Sequence, residues 1–279
     1  MQVLNKLFFG IKPSWWKVIA FAVVTGVATG LIMMIPQLEG TFVRNIGETV
    51  EAWILFALIV CMNCEKPLEA ALKTFVFFLV SQPLVYLTMW PVYQSFPWHY
   101  YQYWFYWTLA CFPLGALANY AKRGGVVGAL VISAACGLLA YLGVGFAQQA
   151  VLTSPTQAVA ALFCLAQIIV YVLVFFHKAF ERIIVVAVSV VVAVVTLFGV
   201  ALAGPNSSGS YPLPETGSYS AAVADESIAT VTVDGTSDFT VNAKGYGTTV
   251  LTLTRSDGTT FVYDVTIDNS GLVTATLRQ

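Results

Sequence analysis

The stretch "VVVAVVTLFGVALAGPNSSGSYPLPETGS", residues 190–218, holds the boundary on which the reading of the whole chain turns. Its first half is uncharged and apolar, and it closes a run from 183 to 203, long enough to cross a bilayer, which takes about 20 residues. In its second half, 204–218, ten of fifteen residues are Gly, Pro or Ser, the composition of an exposed linker or turn region. Two environments therefore meet here. The chain of 279 residues is 58% hydrophobic and 10% charged, too few charges to cover a water-soluble surface. Residues 1–203 hold ten Lys/Arg against six Asp/Glu, whereas 204–279 hold three against eight. All five cysteines lie in the apolar part, so the acidic tail has no disulfide and must fold on its core alone.

Working upstream, apolar stretches are marked at roughly 17–36, 49–63, 70–90, 104–121, 125–147, 157–176 and 183–203. The second is short, and Glu48 and Glu51 blunt its start. With all seven crossing and the N-terminus inside, Lys6, Lys12, Lys17, Lys66, Lys73, Lys122, Arg123, Lys178 and Arg182 are cytoplasmic and only Arg44 is outside. That is the asymmetry of the positive-inside rule. Deleting the second crossing would spoil it. The expected architecture is a polytopic α-helical membrane domain of about seven spans over 1–203, a Gly/Pro/Ser-rich linker over 204–217, and a small all-β domain over 218–279. The expected location is the plasma membrane, with the β-domain extracellular.

Downstream, the pattern changes to period two. Phe239, Val241 and Ala243 alternate with polar residues, as do Phe261, Tyr263, Val265 and Ile267. Asp257-Gly258, between two such runs, suits a tight hairpin. The segment "ADESIATVTVDGTSDFTVNAKGYGTTVLTLT" (224–254) resembles the bacterial Ig-like domain of group 2, through "SIATV" at 227–231 and "FTVNAKGYGTTVLTLT" at 239–254. The resemblance covers about 218–268. It implies a β-sandwich on a bacterial surface, a wall glycan or a surface protein as its partner, and no catalytic residues. No family is recognised for 1–203.

Leu213 to Gly217 spell "LPETG", the sortase recognition pattern. Sortase substrates place an apolar span after the motif, but here the span precedes it. Pro214 presets φ for a turn and Gly217 closes it, so a turn is expected.

The densest chemical feature is "WPVYQSFPWHYYQYWFYW" (90–107), read as an outer loop, with eleven aromatic residues in eighteen. Tyr and Trp gather at membrane interfaces, which explains the segment as a belt. The sharper alternative is an aromatic-walled ligand site at Trp98, His99, Tyr100, Tyr101 and Trp104. Ala22, Gly26 and Gly30, and again Gly125, Ala129, Ser133 and Gly137, recur at four-residue spacing, which lets helices approach closely. Cys61 and Cys64 form "CMNC", with only His177 placed to join them, short of a zinc set. They are read as packing residues. Pro83 beside Gln82 marks a place where the third span could break.

No metal or cofactor is expected. Partners are the lipid bilayer and, through 218–279, a glycan or protein; nucleic acid is not among them. No hydrolase motif occurs and the two histidines fall on opposite sides, so the chain is not expected to be an enzyme. The expected function is a membrane protein displaying a β-module for surface interaction or anchoring. The alternative is a small permease-like or substrate-capturing protein with that module as an accessory.

Overall fold

The structure is a computed structural model, and it describes residues 2–93, 98–152, 154–203, 207–234, 238–267 and 273–278. It divides into two compact units, 1–196 and 197–279. The helices of the first are α1 (Gln2–Phe9), α2 (Trp15–Met33), α3 (Phe42–Glu48), α4 (Glu51–Asn63), α5 (Pro67–Tyr93), α6 (Trp98–Tyr120), α7 (Gly125–Leu152), α8 (Gln157–Phe175) and most of α9 (Ala179–Ala203), whose residues from 197 on are counted with the second.

Five of these, α2, α5, α7, α8 and α9, are long and apolar enough to cross a membrane. The pair α3–α4, bent by 64°, makes a sixth if it is one span. The expected seven is thus met by five or six on length and composition. α6 falls short although it has 23 residues, because its Trp and Tyr rings carry polar tips that lower its mean hydropathy.

Contacts between helices set their directions. Gly26 and Gly30 of α2 face Ser81 and Val85 of α5 in rising order, so these two helices run parallel. Between them α3–α4 returns: Arg44 donates to the Met33 carbonyl at the end of α2 (2.6 Å), and Asn63 accepts from Ile11 N–H near its start (2.7 Å). α6 runs against α5, with Tyr101 on Tyr86 and Phe112 on Phe75. Along α7, Gly125, Ser133 and Gly137 meet Glu181, Ser189 and Val192 of α9 in rising order, a second parallel pair. α8 descends between them, from Gln157 beside Gly40 to Tyr171 and Phe175 beside Phe8. With α3–α4 counted as one segment, the segments from α2 to α9 therefore alternate in direction. The ends carrying Lys12, Lys17, Lys66, Lys122, Arg123 and Lys178 share one face, and Arg44 lies at the other.

The long apolar helices bury one side and expose apolar residues on the other. On α9, Val185 and Ser189 are buried, whereas Val186, Val190 and Val194 are exposed. Without a hydrophobic force between helices in lipid, close backbone approach must supply the packing. A Cβ on Gly137 would stand 2.5 Å from Val192 Cβ, so only glycine fits. α5 continues through Pro83, so the helix does not break there.

The second unit contains β1 (Ser208–Pro212), β2 (Tyr219–Val223), β3 (Ala229–Asp234), β4 (Asp238–Ala243), β5 (Gly247–Arg255), β6 (Thr260–Ile267) and β7 (Val273–Leu277). They form two antiparallel sheets, ordered β1-β4-β3 and β2-β5-β6-β7. One core serves both: Phe239 and Val241 from the first, Leu251, Leu253, Val265 and Ile267 from the second. The alternating residues face inward as the period predicts. The β5–β6 hairpin turns at Asp257-Gly258, with Gly258 at φ +89°.

The expected linker at 204–217 needs correction. Residues 208–212 are a strand paired with β4 in register from Ser208↔Asn242 to Pro212↔Asp238. Its Ser and Gly content hid it, because β-propensity is weak there and pairing supplies what the side chains do not. Residues 213–217 connect the two sheets. Glu215 pairs with Arg255, and the Tyr219 hydroxyl donates to the Glu215 carbonyl at 3.1 Å. Gly217 has φ +156°. "LPETG" is a pinned crossover inside the β-domain.

Candidate functional site

A cavity of about 370 Å³ lies within the helical unit, walled by α4, α5, α6 and α7. Each wall follows from local sequence. α4 supplies Trp53, whose indole N–H donates to the Ile46 carbonyl at 2.8 Å and so fixes the ring across the α3–α4 bend. α5 supplies Thr74, Phe78 and Gln82, spaced four apart so that they share one face. α6 supplies Trp104, Trp107, Cys111 and Gly115, and α7 supplies Ile132 and Ala135.

The lining is almost wholly apolar, and among the described residues no charged side chain contributes to it. Thr74 is 2% exposed, and its Oγ1 has no hydrogen-bond partner among the described residues. Gln82, 6% exposed, is the second polar group in the wall. The two lie eight residues apart, about 12 Å along the helix at 1.5 Å per residue. A site of this size and lining accommodates a small apolar molecule and fixes it by few polar groups.

Of the aromatic candidates, the structure brings Trp104 to this cavity. Tyr101 instead packs edge-on against Tyr86 and Trp98 at 6.0 Å each, and Trp98 is exposed. The side chains of His99 and Tyr100 lie outside the described residues. The segment 90–107 is not a loop throughout: α5 extends to Tyr93 and α6 begins at Trp98. Aromatic residues have ordinary helix propensity, so a dense aromatic run need not end a helix. The cavity residues on α4, α5 and α7 left no mark in the sequence, because apolar residues facing a cavity read like those facing a neighbouring helix.

The small-residue candidates lie at helix contacts. Gly26 and Gly30 face α5, and Ala22 is buried; Ala129, Ser133 and Gly137 are buried, with Ser133 and Gly137 against α9; a Cβ on Gly125 would meet nothing within 4 Å, but its N–H donates to Glu181 Oε1 at 2.9 Å. Cys61 and Cys64 are buried free thiols whose backbone carbonyls both accept from Asn119 Nδ2 at 2.8 Å. Lys122 donates to the Cys64 carbonyl as well, at 2.7 Å. "CMNC" is thus a capped helix end. His177 is exposed, and among the described residues no three His, Cys, Asp or Glu side chains converge to hold a metal. Glu69 pairs with Lys73, whose ammonium also sits 5.6 Å from the Trp15 ring centroid.

A polar feature not foreseen lies at the Arg44 face. Glu51 is 2% exposed and accepts from the Thr49 hydroxyl, while Asn45 Nδ2 donates to Gln157 Oε1 at 2.7 Å. Gln157 in turn donates to the Gly40 carbonyl at 3.0 Å. These bonds tie the α2–α3 connection to the start of α8.

A family model described as the N-terminal region of pilus formation proteins matches residues 206–268. Neither the curated proteins nor the solved structures contain a match to the chain. The family match takes in β1 to β6 of the β-domain but neither β7 nor any of the helices. What stands of the earlier resemblance is a small β-domain, related to but not specifically the bacterial Ig-like domain of group 2.

Proposed function

We propose that this is a seven-span plasma-membrane protein that carries its β-domain on the outer side, for attachment or assembly at the cell surface. The observation that carries the reading is the alternation of helix direction. It supports counting α3–α4 and α6 as crossings beside the five long apolar helices, with the basic ends cytoplasmic. An odd number of crossings from an inside start leaves 204–279 outside. The likeness of 206–268 to a pilus-formation region supports a partner that is itself a surface assembly or wall component. The sandwich arrangement around one core keeps an Ig-like reading of the domain in play.

An epitope tag at the C-terminus tests this on intact cells. Labelling without permeabilisation is the expected result; a tag reached only after permeabilisation overturns the topology. The cavity favours a second reading, in which the helices capture a small molecule and the β-domain is an accessory. Deleting 205–279 should abolish attachment under the first reading, and leave a capture phenotype intact under the second.

A further inference from the structure

We propose that the α4–α7 cavity binds an uncharged lipid with an apolar body and a single hydrogen-bonding head, of the long-chain or polycyclic alcohol class, with Thr74 Oγ1 holding the head. The inference does not depend on what the β-domain contacts.

Hydroxyls on apolar helices usually satisfy themselves by bonding the carbonyl one turn back. In this protein Thr25, Thr88, Thr108, Ser133, Ser189 and Thr196 all do so. Among the described residues the buried hydroxyls of Thr74 and Ser81 do not, and of these two Thr74 lines the cavity; the Ala70 carbonyl is its equivalent acceptor. A buried polar group without a partner is unfavourable in an apolar medium. Its neighbour is informative: a Cβ on Gly115 would come within 3.1 Å of both Thr74 Oγ1 and the Ala70 carbonyl, and Gly115 itself lines the cavity. Any side chain at 115 would press on the hydroxyl at this edge of the cavity.

The rest of the wall selects the class of ligand. Trp53, Phe78, Trp104 and Trp107 offer flat apolar faces, and among the described residues no Lys, Arg, Asp or Glu lines the cavity. A charged head would be desolvated without compensation, so a carboxylate, phosphate or ammonium is disfavoured. A pure hydrocarbon would fill the space but leave Thr74 unsatisfied. An alcohol meets both conditions, since its hydroxyl can accept from and donate to Thr74. Trp107, Leu114 and Leu117 are about half exposed, so the α6 wall also faces the surroundings in which such a lipid would be dissolved.

The test uses the full-length protein in phospholipid nanodiscs and a diazirine-bearing hexadecanol as photoprobe, with labelled peptides mapped by mass spectrometry. Labels should concentrate on 74–82 and 104–118. Excess hexadecanol should displace them, whereas hexadecane and palmitate at pH 8 should compete less well. Thr74→Val keeps the shape and removes the hydroxyl. It should reduce the advantage of the alcohol over the alkane by about two- to tenfold, the worth of one hydrogen bond. Ala135→Phe should fill the cavity and abolish labelling there; if that variant does not fold, Thr74→Val alone decides. Labels spread along all lipid-facing helices and indifferent to hexadecanol would mean that bilayer chains fill the cavity, and would overturn the proposal. So would an alcohol preference unchanged in Thr74→Val.

Discussion

Gly26 of α2 lies so close to α5 that a Cβ at this position would stand 2.6 Å from the Ser81 carbonyl oxygen. One turn on, Gly30 meets the Val85 carbonyl and Thr88 in the same way. This contact makes α2 and α5 parallel neighbours, and parallel neighbours require the chain to return between them. The bend at α3–α4 is that return.

Substituting Gly26 should therefore damage the whole helical unit. Gly26→Leu presses on backbone, which cannot move aside as a flexible side chain can. Overpacking of this kind costs about 1–3 kcal/mol, occasionally more. In detergent the variant should lose its monodisperse gel-filtration peak or melt several degrees lower. An unchanged melting profile would show that α2 and α5 are not packed in this register.

Asn119 should matter as much, although it looks like an ordinary helix-end polar residue. Its Nδ2 donates to the carbonyls of both Cys61 and Cys64, closing the end of α4 against α6. Removing a donor from buried acceptors costs about 1–3 kcal/mol. Asn119→Ala should lower the thermal midpoint, while Cys61→Ala and Cys64→Ala should have smaller effects, since no metal or disulfide is lost. A reversed order would point to chemistry at the thiols.

The β-domain has a pH dependence that can be assigned. Hydrogen bonds from Arg255 and from Thr259 hold the Asp257 carboxyl well below its ordinary value, and Arg278 lowers Asp264 in the same direction. A carboxyl lowered in the folded state contributes stability that is full above the unfolded value, about pH 4, and is lost as pH falls below it. Both pairs are exposed, so the effect is small. Corrected for the intrinsic exchange rate at each pH, the amide protection of residues 213–218 and 255–260 should fall below about pH 4 and be steady from 5 to 8. Arg255→Ala should flatten this profile.

The crossover at 213–217 should resist sortase while folded. Arg255 pairs with Glu215 in its middle, and a Cβ on Gly217 would meet Arg255 Cδ at 3.1 Å in a backbone conformation that side chains rarely adopt. Gly217→Ala should destabilise the domain by about 1 kcal/mol or more. Incubating the full-length protein with a sortase and an amine nucleophile should give no product. A fragment beginning at Gly217 would show that the crossover opens.

Much of this was legible in the sequence. Apolar length, basic asymmetry and the change from an apolar run ending at 203 to period two beyond 218 point to a multi-helix domain followed by a β-domain, because an apolar surrounding and half-burial in a sheet impose different patterns. The small-residue repeats at Gly26 and Gly137 mark helix surfaces where backbones approach, whatever their partners. Other features depend on elements far apart in the chain. β1 became a strand only by pairing with β4, since Ser-Gly-Ser has little strand preference of its own. The cavity has the same origin. Trp53, Thr74, Trp104 and Ala135 come from four helices and acquire a common role only once those helices are side by side. Sequence determined which residues avoid water; tertiary packing decided which of them line a space, because a void belongs to no single helix.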